Sequence, residues 1–216
     1  MNNRTVYYLF FLQVITPYLI NTTPDNLGKT HFIVGAPAPT ATTMHNHHQS
    51  DKQKQVCCAY FAPDDNLQKL IISYIDQEKE QIDIAIYSFT NKHIADALIK
   101  AYNRGVMIRI VTDPSWLSDQ FSKIHMLQKH GIPIYLYNAH HHKKGGTSRN
   151  LMHNKFMIFK KNKEGKSYIW TGSYNFTRAA TMSNQENVVI ISKYSVVKQY
   201  QSQFERLITR CKQLAV

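Results

Sequence analysis

From Val56 onward, short β-branched apolar runs alternate with stretches whose apolar positions recur every three or four residues. "VCCAYF" (56–61) predicts a buried strand. In "DDNLQKLIISYIDQEKE", Leu67, Leu70, Ile71, Tyr74 and Ile75 fall at helical spacing, with Asp64 and Asp65 placed to cap the first turn. "IDIAIYSF" (82–89) predicts a central strand. Thr90 then opens a helix, "NKHIADALIKAYNRG", that stops at Gly105. "VMIRIVTD" is a third strand, "DQFSKIHMLQKHG" a helix closed by Gly131, and "IPIYLY" a fourth strand. Helices lying between strands imply crossover connections. The expected fold is α/β: a mixed, largely parallel β-sheet flanked by helices on both faces.

The rhythm changes after Tyr137. "NAHHHKKGGTSRN" (138–150) is a polar loop, and two strands follow, near 151–161 and 167–174. They are joined by "NKEGK", a hairpin-length turn that makes them antiparallel. "ENVVIIS" predicts another strand, and "YSVVKQYQSQFERLITRCKQL" a closing amphipathic helix. The catalytic-sized domain therefore runs over residues 55–216. Ahead of it, residues 21–54 have the threonine, proline, asparagine and histidine content of a linker without hydrophobic period. Residues 1–20 carry one positive charge and an apolar run interrupted by Gln13, Thr16 and Pro17, which is short for a membrane span. Such a segment suits a secretory signal or an anchor, so the expected location is secreted or periplasmic, with attachment to a membrane as the variant.

A 43% hydrophobic share leaves ample material for one core in 216 residues. The formal charge of +12 changes the picture more, because it draws polyanions such as nucleic acid or acidic lipid head groups. Three cysteines, Cys57, Cys58 and Cys211, cannot build a disulfide framework and read as small core residues. His45, His47 and His48 with Cys57 and Cys58 lack the usual zinc spacings and read as a solvated tract.

The chemistry concentrates in "LMHNKFMIFKKNKEGKSYIWTGSYNFT" (151–177). Strand side chains alternate with period two, so His153 and Lys155 share a face, as do Ser173 and Asn175. An imidazole, a fixed cation and two neutral hydrogen-bonding groups suit a phosphate diester. The lysine and amide hold its anionic oxygens, while the imidazole attacks phosphorus or protonates a leaving oxygen. In the preceding loop, Lys143, Lys144 and Arg149 are placed to meet a polyanionic substrate at the cleft mouth.

"HNK", then "TGSYNFT", then "ENVVII" resemble the phospholipase D superfamily, whose signature is H-x-K-x4-D followed by G-S-x-N. The likeness covers about residues 56–212 and is nearest to small members carrying the motif once. It implies that His153 is a nucleophile forming a phosphohistidine, that Lys155 and Asn175 bind phosphate with Ser173 in support, and that Glu186 orients the histidine. With lysines supplying the charge and a side chain as nucleophile, such a scheme requires no metal, and no cofactor is expected. With one motif and no internal repeat, the likeness also implies a homodimer sharing one active site. The expected activity is sequence-nonspecific cleavage of nucleic acid, DNA or RNA; hydrolysis of an anionic phospholipid with release of phosphatidic acid is the alternative, and a catalytically dead nucleic-acid-binding dimer the second.

Position 160 departs from the signature, holding Lys160 where the pattern has an aspartate. Seven residues from His153, it faces the other side of an extended strand and lies about 23 Å along it. An acid there anchors the strand end and does not touch the nucleophile.

Overall fold

The structure is a computed structural model, and it describes residues 55–138 and 150–215 together with the backbone of 21–24 and 30–33. The chain divides into two units at Asp51 and Lys52. In the first, β1 (Asn21–Pro24) and β2 (Thr30–Ile33) pair antiparallel, inside the stretch expected to be an unstructured linker. Threonines 22, 23 and 30 with Ile33 supply β-branched positions, too few to produce a visible period. The expected signal segment 1–20, the histidine tract 45–48 and the loop basic residues Lys143, Lys144 and Arg149 lie outside the described residues.

The second unit contains β3 (Cys57–Ala62), α1 (Leu67–Gln77), β4 (Gln81–Ile86), α2 (Lys92–Asn103), β5 (Met107–Thr112) and α3 (Ile124–Lys129). These are followed by β6 (Ile134–Tyr137), β7 (Lys155–Phe159), β8 (Tyr168–Gly172), α4 (Arg178–Met182), β9 (Glu186–Ile191), α5 (Tyr194–Ile208) and β10 (Cys211–Gln213). Eight strands form one sheet in the order β10-β6-β5-β4-β7-β8-β9-β3. The α/β class and the mixed sheet agree with the sequence, but its parallel share is smaller than expected. Only β4–β5 and β5–β6 are parallel; the other five pairings are antiparallel. Helical crossovers link neighbours only along β4-α2-β5-α3-β6. The β3-α1-β4 crossover instead joins strands far apart in the sheet, and β3 lies antiparallel to β9 at the edge.

Alternation along the strands divides the core between two faces. Ile82, Ile84, Ile86, Met157, Trp170 and Val188 pack with buried residues of α1, α2, α3 and α4. Ala85, Val111, Phe156, Ile158 and Ile169 pack under Val197, Phe204 and Leu207 of α5. Each such large apolar side chain contributes about 1.5–3 kcal/mol through burial. Arg109 pins α5 to the sheet: it pairs in register with Asp83, grips that carboxylate at 2.8 and 2.9 Å, and reaches Glu205 at 2.7 Å.

Several boundaries depart from the sequence reading. Asn66, not an aspartate, caps α1 by accepting from the Lys69 N–H, and Asn91 rather than Thr90 caps α2. Cys57 is exposed because β3 is an edge strand whose outer residues α5 does not cover. Residues 211–213 leave the helix to pair with Tyr135–Tyr137, where the β6 edge offers unpaired backbone groups.

The far end of β7 explains the missing aspartate. Glu78, just past α1 and only 1% exposed, accepts hydrogen bonds from the backbone N–H groups of Glu80, Gln81 and Lys161. One buried carboxylate thus ties α1, the start of β4 and the end of β7 together. Lys160 turns to Glu80, with Nζ 2.7 Å from Oε1, and holds that carboxyl below its ordinary range, chiefly by hydrogen bonding. Restoring the motif acid as Lys160→Asp should therefore not raise activity. It sets two carboxylates side by side and should lower the unfolding midpoint; a rise in turnover would show that position 160 serves the chemistry.

Candidate active site

The strand order brings the predicted residues to one end of the sheet. The register pairs Ile86 with Lys155, Phe156 with Thr171, and Gly172 with Val188. The end of β4, the start of β7, the end of β8 and the start of β9 therefore meet. Gly172 permits this closeness, since a Cβ there would stand 2.0 Å from the Asn187 carbonyl oxygen.

His153 precedes β7 instead of lying in it, and the strand spans 155–159, shorter than the expected 151–161. His153 and Lys155 nevertheless sit on the same side, because both contact the ring of Tyr87. The imidazole centroid is 4.7 Å from the Tyr87 centroid at 61°, and Lys155 Nζ is 5.4 Å from it. His153 is exposed and Lys155 half-buried. Lys155 Nζ donates to the His153 carbonyl at 2.9 Å. Burial pulls the ammonium below its ordinary pKa, and the Glu186 carboxylate acts in the opposite direction.

Ser173 and Asn175 follow β8. Ser173 Oγ donates to Glu186 Oε2 and accepts from the Asn187 N–H at 3.0 Å. Its hydroxyl thus helps fix the start of β9. Asn175 Oδ1 accepts from the Ser88 N–H at 3.3 Å, which leaves its amide nitrogen without a partner among the described residues. Glu186, expected on the imidazole, is held by Ser173 and by Asn184 Nδ2 at 3.0 Å; no hydrogen bond joins it to His153. The reason is local: outside the strand, the His153 ring turns onto Tyr87. The site therefore brings together Lys155, Ser173 and Glu186, with His153 and Asn175 alongside.

Three neighbours escaped the sequence reading. Asp113, at the end of β5 and 1% exposed, accepts the buried N–H of Met152 at 3.0 Å and so holds the segment that carries His153. Its other oxygen caps a short 3₁₀ turn, Pro114–Trp116, through the Ser115 N–H. Trp116 packs edge-on to Tyr87, with centroids 5.6 Å apart at 89°. The available signal was the "VTD" end of a parallel strand, where open α/β sheets place their ligands. Among the described residues no group of three His, Cys, Asp or Glu is placed to hold a metal ion. A groove of about 740 Å³ lies at the opposite end of the sheet, lined by residues including Asp83, Arg109, Lys160 and Glu205. Those four charges are already paired, so it offers no chemistry comparable to the site.

Residues 71–208 match the family model described as cardiolipin synthase, PLD-like domain. A phospholipase D of Rickettsia conorii is 34% identical over 163 residues, covering 76% of this chain and 74% of its own. A mitochondrial cardiolipin hydrolase of Drosophila melanogaster is 31% identical over 184 residues, covering 77% and 69%. Among solved structures, Nuc of Salmonella typhimurium, a phospholipase D family member, superposes with a TM-score of 0.63 at 25% identity. That match covers 75% of this chain and 99% of Nuc. NucT of Helicobacter pylori shares the fold, with a TM-score of 0.66 at 23% identity over 74% of this chain and 99% of its own. The matched stretch runs from α1 to the end of α5 and contains every strand that meets at His153, so the chain belongs to the phospholipase D superfamily and is a phosphodiesterase.

Proposed function

We propose that this protein hydrolyses nucleic-acid phosphodiester bonds without sequence preference, through a phosphohistidine formed on His153. The observation that carries the reading is an exposed imidazole beside a half-buried ammonium at the open end of the sheet. Lys155 and the free amide of Asn175 hold the non-bridging oxygens. A ring nitrogen of His153 attacks phosphorus, and the bond from phosphorus to the leaving oxygen breaks. Water then attacks the phosphohistidine, breaking the P–N bond and releasing the second product.

Each half-reaction wants a second proton-handling group on the far side of phosphorus. The described histidines do not supply one here: His125 and His130 face the backbone carbonyls of Leu117 and Met126, and His93 lies outside the motif. A two-fold dimer that sets a second His153 across the cleft supplies it, protonating the leaving oxygen first and deprotonating water afterwards. The net charge of +12 favours a polymer of phosphates, and the first segment suits export or anchoring.

A second reading is hydrolysis of an anionic phospholipid. It is favoured by the activities named for the curated relatives and by exposed Phe61, Phe121, Leu151 and Met182 at the site's end of the sheet. Plasmid DNA, single-stranded RNA and labelled cardiolipin vesicles, each incubated with parent and His153→Ala protein, separate these readings. Cleavage of nucleic acid by the parent alone is expected. Release of phosphatidic acid with intact nucleic acid selects the lipid, and binding without cleavage of any of them selects a dead binding dimer.

A further inference from the structure

His153 and Lys155 share a neighbour that lies in neither motif. Tyr87 stands one residue past the Ile86–Lys155 register pair, at the point where β4 gives way to the loop leading to α2. Its position is set from two directions, by the buried strand that precedes it and by Trp116 packed edge-on to its ring. No hydrogen bond to a described residue orients the imidazole of His153, so ring packing sets its direction. The ammonium of Lys155 has a backbone carbonyl and the same ring within reach.

We propose that Tyr87 is a positioning residue of the phosphodiesterase site, its ring aiming the His153 imidazole and holding the Lys155 ammonium against its face. The inference rests on the roles given above to His153 and Lys155. An aromatic face is electron-rich and attracts a cation, while a ring edge against a ring face fixes a mutual angle. Both interactions need the π-system and neither needs the phenol oxygen. Burial lowers the pKa of Lys155 and the Glu186 carboxylate opposes it; the charged or titratable groups around the ammonium are Glu186 from β9, His153 from its own segment and Tyr87 itself.

The test compares Tyr87→Phe, Tyr87→Leu and a series of increasingly fluorinated phenylalanines at position 87, which drain the ring's electron density without changing its shape. Turnover of bis(4-nitrophenyl) phosphate is followed against pH. Tyr87→Phe should retain activity, while Tyr87→Leu should lose about tenfold to a hundredfold in kcat through misplacement of the nucleophile. The alkaline limb of kcat/KM should move to lower pH with each added fluorine, since the weaker ring releases the Lys155 proton sooner. The proposal is overturned if the leucine variant matches the parent, if phenylalanine is as damaging as leucine, or if fluorination leaves the limb in place. Should Tyr87→Leu not fold, the fluorinated series decides alone. If the parent does not turn over the ester, the reading of the site fails separately. The Lys155 ammonium titration, followed by NMR on isotopically labelled lysine across the same series, then tests Tyr87.

Discussion

His153→Ala should reduce phosphodiester hydrolysis by about 10⁴-fold or more, the scale seen when a covalent nucleophile is removed. The unfolding midpoint should stay where it is. His153 is exposed and precedes β7, and its ring makes no hydrogen bond to a described residue, so the alanine gives up little packing. Loss of turnover at constant stability separates a chemical role from a structural one. Mixing the variant with parent protein adds a test of the shared site. If each turnover needs two imidazoles, activity after subunit exchange should follow the square of the parent fraction. A linear decline would mean that each chain works alone.

Gly172→Ala should damage both the fold and the site. A Cβ at this position meets the Asn187 carbonyl oxygen at 2.0 Å, its carbon at 2.8 Å and Val188 Cα at 2.9 Å. All three are backbone atoms of β9, so no side chain can rotate to make room. The strands must separate where Gly172 pairs with Val188, next to the hydrogen bonds from Ser173 to Glu186 and from Asn187 to Ser173. Overpacking of this kind costs about 1–3 kcal/mol or more, read as a lower denaturant midpoint. Activity should fall in parallel, because Glu186 and Asn175 take their positions from either side of the same junction. A variant with parental midpoint and turnover would show that β8 and β9 tolerate the wider spacing.

Much of the candidate site was legible in the sequence. The spacing of His153 from Lys155 and of Ser173 from Asn175 marked the candidate site, and the hairpin turn 162–166 gave the antiparallel pairing of β7 with β8. Asn162 closes that turn by accepting from the N–H groups of Glu164 and Lys166. Strand parity also separated Lys160 from His153, and Lys160 pairs with Glu80 at the far end of β7. Partners of the carboxylates were not legible. Glu186 reads equally well against an imidazole or a hydroxyl, and Glu78 looks like one more charge at the end of a helix. Only burial shows that Glu78 binds three backbone N–H groups.

The amino-acid sequence alone determined most elements of the second unit, the hairpin and the candidate reacting groups, because these follow from periodicity, turn chemistry and side-chain type within a few residues. Tertiary structure decided which strands became neighbours, and hence that five of the seven pairings in the eight-stranded sheet are antiparallel and that β3 closes an edge far from β4. It likewise decided that Tyr87, Trp116 and Asp113 stand around His153, although Tyr87 and His153 are far apart in the chain. Such contacts depend on sheet order and register, which arise from packing across the whole core and leave no local signature for a periodicity to reveal.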